Sequence, residues 1–539
     1  SWRCSLARRG GRLIGAAVRR DANHPTTRPG PLRRNLADAR PLKAFMGSPR
    51  DARSRVLPAS VAVVTALVAG APAAGAGPPS RPNIVFMLAD DQGWDGLSVA
   101  MHPDVPGSRG EIFHTPHLER LATQGMRFSN AYAPAPVCSP TRIAIQTGRS
   151  PAALHWTKAA PPEPGHRLVE PRLVKQIAAE ETTIGELLRQ AGYATAHYGK
   201  WHIAGGGPAA HGYDESDGDT GNESASRFTD PNPVDIFGMT DRAAAFMRKS
   251  RAAGRPFFIQ LSWNALHAPQ NALEVTKAKY ASLAGTRGER RAAVAALTED
   301  LDTGVGRVLD AIDGLGLADD TYVISMSDNG AGGAGRRGGL SGGKGSVWEG
   351  GIRVPLIVRG PGVAANSWCQ VPVVGVDLLP TFCAWAGVPP ARIPRSVEGG
   401  SIAGVLARAG KGAVQRPREE LVFHFPHYQS GHTPHSAIRV GDLKLIMFYE
   451  DDTVKLFDLA TDIGERQDLA TTLPAEAARL RKRLEKYLTD VGAQLPTPNP
   501  SFDASARAAD ERPRKGGKGT RGGTTQAGKR RGGNEETDE

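Results

Sequence analysis

The chain has 539 residues, 40% apolar and 6% aromatic, with 64 glycines, 41 prolines and four cysteines. That length supports a large core and more than one domain, and so few cysteines exclude a disulfide-dense scaffold. A charged fraction of 23% excludes a mostly disordered or membrane-filling chain. The formal charge of +12 invites a nucleic-acid or anionic-surface reading, but its location argues against one. Residues 1–80 carry 14 basic and 3 acidic side chains, residues 501–539 carry 9 and 7, and residues 81–500 carry 44 and 45. The body is neutral, and no nucleic-acid partner is expected.

The first 45 residues are Arg-, Pro- and Ala-rich without helical or strand periodicity and read as upstream sequence rather than fold. From Met46 the pattern changes to a basic stretch (Arg50, Arg53, Arg55), an apolar run over 56–70, and two small-x-small sites, Ala71-Pro-Ala73 and Ala74-Gly-Ala76. This is the layout of an export signal over about 46–76. The run is short for a bilayer span of roughly 20 residues, so cleavage is expected rather than anchoring. A periplasmic or secreted protein follows, with no stable membrane association after cleavage.

Short apolar runs then alternate with helix-like stretches: 83–89, 194–198, 256–263, 322–327 and 354–358. Such runs suit strands buried on both faces of a mainly parallel sheet, and the alternation predicts an α/β fold. Thr183-Ile-Gly-Glu186 reads as a capping box opening a helix that contains Leu187 and Leu188 and ends at Gly192. Long Gly/Pro/Asp-rich connections at 151–180, 204–235 and 331–346 are candidate active-site loops. After about residue 405, segments 437–440 and 443–449 flank Gly441-Asp442 as a hairpin, and 454–459 adds a strand. Pro474 then opens a helix with Ala477, Leu480, Leu484 and Leu488 on one stripe. The expected organisation is an upstream segment and signal at 1–80, a catalytic domain at 81–405, and a smaller subdomain at 406–500 with an antiparallel sheet and a helix. A disordered Gly/Lys/Arg-rich tail follows at 501–539.

Nearly every apolar strand is followed at once by a polar cluster: Asp90-Asp91, Gly199-Lys-Trp-His202, Asn264 to His267, and Asp328-Asn329. Ligands bind at the carboxyl ends of parallel strands, so these clusters are expected to converge. Asp90, Asp91, Asp328 and Asn329 offer hard oxygen donors suited to Ca²⁺ or Mg²⁺ rather than Zn²⁺. Cys138-Ser-Pro-Thr-Arg142 opens a helix, which places Cys138 where the dipole favours an anion and Arg142 four residues on along the same face. Taken singly, Lys344 suits a solvated charge in a Gly-rich loop, Lys200 a local ion pair, and His267 a satisfied core histidine.

Cys138-x-Pro-x-Arg142 followed by Thr147-Gly-Arg149 resembles the hallmark of type I, formylglycine-dependent sulfatases of the alkaline phosphatase superfamily. The resemblance extends over roughly residues 81–492. It includes Arg81-Pro-Asn-Ile-Val-Phe-Met-Leu-Ala-Asp-Asp-Gln-Gly-Trp94, Gly199-Lys-Trp-His202, Ser327-Asp-Asn-Gly330 and Gly342-Gly-Lys-Gly-Ser-Val-Trp-Glu-Gly-Gly-Ile-Arg-Val-Pro355. Val376-Asp-Leu-Leu-Pro380 and Leu456-Phe-Asp-Leu459 fit its later segments.

The resemblance implies an arylsulfatase-type sulfuric ester hydrolase in which a formylglycine-generating enzyme, or an equivalent, oxidises Cys138 to Cα-formylglycine. Asp90, Asp91, Asp328 and Asn329 are implied as ligands of one Ca²⁺ per chain, with residue 138 completing the shell. Arg142 would steady the formylglycine hydroxyl, Lys200 and Lys344 would hold sulfate oxygens, His202 would act on the formylglycine hydroxyl, and His267 would protonate the leaving oxygen. One position of the family pattern, a hydroxyl residue beyond the Gly-Lys-x-His segment, has no counterpart assigned in this sequence.

Cleaving a sulfate ester needs a nucleophile, charge neutralisation and a proton for the departing alkoxide, and these residue types supply all three. The expected substrate is a sulfated small molecule or glycan, with a carbohydrate sulfate favoured. Alternatives are a phosphodiester or phosphonate monoester hydrolase of the same superfamily, and a non-catalytic sulfated-glycan binder should Cys138 stay unmodified. His424, His427 and His435 either line the substrate entrance or decorate a loop. Cys369 and Cys383 either pair or stay as buried thiols.

Overall fold

A computed structural model describes residues 81–283, 288–332 and 338–503. The expected export signal and nearly all of the expected tail lie outside these residues. Among the described residues no helix is long and apolar enough to cross a membrane.

Eight strands form the principal sheet: β1 (Asn83–Ala89), β2 (Met126–Phe128), β3 (Ala194–Gly199), β4 (Glu215–Ser216), β5 (Phe257–Ser262), β6 (Thr321–Ser327), β7 (Leu356–Arg359) and β8 (Ser367–Cys369). Their order is β8-β2-β7-β6-β1-β5-β3-β4. Strand β7 runs antiparallel to β6 and β2, and every other pair is parallel. The sheet is therefore mainly parallel, as the apolar runs imply. The run at 354–358 becomes the one reversed strand and starts only at Leu356, after Pro355, which has no N–H to donate to a ladder.

All seven residues of β1 are buried, and their alternation divides two cores. Val85, Met87 and Ala89 meet α1 (Pro116–Gln124), α4 (Ile236–Ala252) and α5 (Glu289–Gly314) through Leu121, Met239, Phe246, Leu301 and Leu309. Ile84, Phe86 and Leu88 meet α2 (Cys138–Thr147), α3 (Ile184–Gln190) and α6 (Leu378–Ala386) through Ile145, Leu187 and Phe382. Each large apolar side chain so enclosed contributes about 1.5–3 kcal/mol. Helix α3 opens on the expected capping box, in which Thr183 accepts from the Glu186 N–H and Glu186 accepts from the Thr183 N–H. Cys369 and Cys383 are buried free thiols.

A second sheet of β9 (Leu421–Phe425), β10 (His435–Val440), β11 (Leu443–Phe448) and β12 (Val454–Asp458) is antiparallel in chain order. Helix α7 (Pro474–Asp490) covers it, setting Ala477, Leu480, Leu484 and Leu488 against Ile438, Leu445 and Leu456. A buried charge network ties this sheet to the loop after β6. Lys444 Nζ lies 2.8 Å from both Glu349 Oε1 and Glu465 Oε1, Arg353 donates to Glu349 Oε2 at 2.6 Å, and the Glu349 N–H donates to Glu465 at 2.7 Å. Burial opposes ionisation of Glu349, but Lys444 and Arg353 outweigh it and hold that carboxylate below its usual range.

Candidate active site

The pairing of β1 with β6 builds the first half of the site. Ala89 stands opposite Ser327 in register, so the residues that follow each strand, Asp90-Asp91 and Asp328-Asn329, emerge side by side. The Asp91 N–H donates to Asp328 Oδ1 at 3.2 Å and the Gln92 N–H to Ser327 Oγ at 2.9 Å, which locks the two turns together. Asp90, Asp328 and Asn329 are fully buried. Asn329 donates its amide to Asp91 Oδ1 at 2.7 Å, and its own Oδ1 is buried with no hydrogen-bond partner among the described residues.

Helix α2 supplies the second half. All ten of its residues are buried, Cys138 is its first residue, and Gly148 closes it in the left-handed conformation. The Cys138 thiol lies 3.3 Å from Asp90 Oδ1 and 3.4 Å from Lys344 Nζ. Burial, aided by the Asp90 charge, pushes this thiol far above its usual range, which leaves it neutral and a weak nucleophile as a thiol. Arg142, one turn on, donates to Asp328 Oδ2 at 2.8 and 3.1 Å and to the Lys200 carbonyl at 2.7 Å.

Lys200 arrives from the end of β3. Gly199 has a φ of 86°, and a side chain there would overlap the Ser262 carbonyl, so only glycine permits the turn that follows. The Lys200 ammonium pairs with Asp90 Oδ2. Lys344 pairs with Asp91 Oδ1 at 2.6 Å and is held by its own N–H to the Ala331 carbonyl. Three carboxylates and three cations thus meet, and their formal charges cancel. Although burial opposes ionisation of Asp90, Lys200, Arg142 and Lys344 hold its carboxylate well below the usual range. Burial and the Asp90 charge push Asp328 up.

Ligand atoms of Asp90, Asp91, Cys138 and Asp328 all lie within 4.8 Å of one another. The three carboxylates and the unpartnered Asn329 oxygen form a hard-donor set that fits Ca²⁺, whereas the Cys138 sulfur is a soft atom beside it.

His202 and His267 complete the neighbourhood. His202 has a φ of 60°, as does Asp91, a conformation that is costly outside glycine and that concentrates at functional sites. Burial, then Lys200 and Arg142, hold the His202 imidazole down to about 3, and its Nδ1 has no partner among the described residues. His267 is half-buried in the segment after β5, with Nδ1 2.8 Å from the Ala268 carbonyl. It lies close enough to Asp90 and His202 to interact electrostatically with both.

Two residues absent from the sequence reading belong to this neighbourhood. Thr220 accepts the Trp201 N–H at 3.1 Å on its hydroxyl and the His202 N–H at 2.8 Å on its carbonyl, so it sets the path of the Lys200–His202 segment. Gln429, from the β9–β10 loop, packs on Gly345 beside Lys344, and its Oε1 is buried without a partner among the described residues. Neither has a local motif; a lone polar residue in a Gly-rich or His-rich loop carries no pattern.

The three histidines left open by sequence are buried and hydrogen-bonded. His424 bonds to Ser436 and the Gln494 carbonyl, and His427 to Glu170 and Thr157. His435 accepts the Val347 N–H at 2.9 Å, anchoring the loop that carries Lys344.

The family model for sulfatases matches residues 82–388, and that for the C-terminal region of N-sulphoglucosamine sulphohydrolase matches residues 343–494. The chain is 29% identical to arylsulfatase A of Homo sapiens over 488 residues, spanning 78% of this chain and 90% of the relative. It is 32% identical to N-acetylgalactosamine-6-sulfatase of Rattus norvegicus over 354 residues, 58% of this chain and 64% of the relative. Among solved structures, Ps i-CgsB in complex with k-i-k-neocarrahexaose superposes with a TM-score of 0.63 at 24% identity, covering 80% of this chain and 98% of that one. A protein in complex with its substrate D-glucosamine-2-N,6-O-disulfate gives 0.59 at 22%, covering 76% and 98%. These two likenesses speak to the fold.

Proposed function

Because the chain belongs to the sulfatase family of the alkaline phosphatase superfamily and is a sulfuric ester hydrolase, we propose that it is an exported, calcium-dependent carbohydrate sulfatase whose nucleophile is residue 138 after conversion to formylglycine. The observation that carries this reading is the meeting of Cys138 with Asp90 at 3.3 Å and Lys344 at 3.4 Å inside a cluster of three carboxylates.

Asp90, Asp91, Asp328 and Asn329 would hold one Ca²⁺, which when bound neutralises charge on the sulfuryl oxygens and polarises the ester. Formylglycine, as its hydrate, supplies one hydroxyl to attack sulfur and a second whose deprotonation expels sulfate and restores the aldehyde. Around that group the chain's own residues divide the work. Lys200 and Lys344 are point charges suited to a tetrahedral anion, and each pairs with a carboxylate of the cluster that holds Cys138. Arg142 holds Asp328 and orients the nucleophile. His202, neutral near pH 7 because it is held down to about 3, has a free lone pair to take the proton of the second hydroxyl. His267, on the less buried side, is assigned to protonate the departing alkoxide.

The N-acetylgalactosamine-6-sulfatase relatives are named for a sugar sulfate, and this supports a carbohydrate sulfate here. The signal-like segment at about 46–76 supports export, with a maturation enzyme acting on Cys138 before or during it. On the same reading, residues 81–405 are the catalytic domain and 406–500 the C-terminal subdomain.

Mass analysis of the peptide containing residue 138 tests the conversion, since formylglycine is lighter than cysteine by about 18 Da. Turnover of an aryl sulfate is then compared with that of an aryl phosphodiester. An intact thiol without sulfate release, or faster diester cleavage, would overturn the proposal.

A further inference from the structure

Beside Gly332 there is a point, where a methyl group would stand, that lies 3.7 Å from Asp91 Oδ2, 3.8 Å from Lys344 Cδ and 3.8 Å from Arg290 Nη2. Arg290 belongs to the first turn of α5, far from the catalytic residues in sequence, yet its guanidinium reaches the rim of their cluster. The three other cations at this site are each paired with a carboxylate: Arg142 with Asp328, Lys200 with Asp90, and Lys344 with Asp91. Arg290 is exposed and makes no hydrogen bond or ion pair among the described residues. Asp91, the nearby acid, already receives Lys344 and Asn329. Glycine at 332 places no side chain at this point between Arg290 and Lys344.

A guanidinium fork fits a planar carboxylate or two oxygens of a sulfate, and the positive charge here has no counterion among the described residues. We infer that Arg290 is a specificity-determining residue that binds a second anionic group on the alcohol portion of the substrate, either another sulfate or a carboxylate. The inference rests on the sulfatase reading and narrows its substrate class to sulfate esters whose leaving alcohol is itself charged.

The test uses the mature, calcium-loaded enzyme with Arg290→Gln and Arg290→Lys. Three substrates are compared: nitrophenyl sulfate, a disulfated hexosamine, and a sulfated disaccharide that bears a uronate. Arg290→Gln is expected to leave kcat/KM for nitrophenyl sulfate within about twofold. It is expected to lower kcat/KM by about tenfold or more, through KM, for the saccharide whose second anion Arg290 binds, the size expected for one charge-assisted hydrogen bond. Arg290→Lys should recover part of the loss, and the difference should shrink at high salt. The saccharide that suffers identifies the second anion as sulfate or carboxylate. An equal loss on nitrophenyl sulfate, or no loss on either saccharide, overturns the inference while the sulfatase reading stands. A wild-type enzyme that releases sulfate from none of the three removes that reading and the inference together.

Discussion

Two buried charge clusters lie along the same loop, and they differ in what is left open: in the first, Glu465 Oε1 makes no hydrogen bond but lies 2.8 Å from the Lys444 ammonium, whereas in the second two buried atoms have neither among the described residues. Around Glu349, the side chains of Arg353, Lys444, Glu465 and Tyr132 close on one another: Lys444 Nζ sits 2.8 Å from two carboxylates, and the Tyr132 hydroxyl donates to Glu349 at 2.8 Å. Around Asp90, the Asn329 oxygen and the His202 Nδ1 lack partners among the described residues, and Asp91 and His202 adopt left-handed backbone. Open valences and local strain cost stability, and they persist where a ligand completes them. The first cluster pairs its charges with one another across the fold, and the second keeps open atoms that suit a ligand.

The sharpest test of that contrast is Cys138→Ala. Sulfate release should fall by at least about a thousandfold, because the nucleophile is lost, while thermal unfolding stays close to wild type. Substantial residual turnover would remove residue 138 from the chemistry. In the closed cluster the expected result is reversed. Lys444→Met strands Glu349 and Glu465 in the interior and should lower unfolding free energy by about 3–5 kcal/mol in a denaturant titration. A near-neutral result would mean that the network does not brace the loop.

Calcium should act only on the open cluster. At a free concentration about 100-fold above its dissociation constant it should stabilise the folded chain by about 2.7 kcal/mol, read as a rise in Tm that chelation reverses. Asn329→Ala should diminish that rise, and an undiminished shift would place the ion elsewhere.

The smallest effect concerns protons. Burial holds His435 down to about 3, whereas an unfolded histidine titrates near 6.5. Between those values the unfolded chain binds a proton that the folded chain refuses, so stability falls as pH drops from 6.5, by on the order of 1 kcal/mol per pH unit. His435→Asn should flatten the wild-type profile by that slope between pH 6.5 and 4.5. Parallel profiles would show that His435 is not held neutral.

Much of this was legible locally. The apolar runs ending in Asp90-Asp91, Lys200 and Asp328-Asn329 announced strands whose carboxyl ends bring polar clusters together, and Cys138-x-Pro-x-Arg142 announced a helix start with a thiol at its first position. Capping at Thr183 and the stripe on α7 were equally direct, because cap chemistry and helical periodicity act over a few residues. The reversal of β7 was not, since an apolar strand has the same composition in either direction. Nor were the roles of His424, His427 and His435, whose hydrogen-bond partners lie up to 270 residues away.

By itself the sequence determined the fold class and the identity of the groups that bring charge, hard oxygen donors and a thiol at a helix start, because those follow from residue type and short-range pattern. Only the tertiary structure decided which polar residues face one another. The register of β1 on β6 set Asp90 beside Asp328, and Thr220, Gln429 and Arg290 reached the site from three loops or helix ends with no motif of their own. Contacts between distant segments depend on how strands order and pack, and no local pattern encodes that.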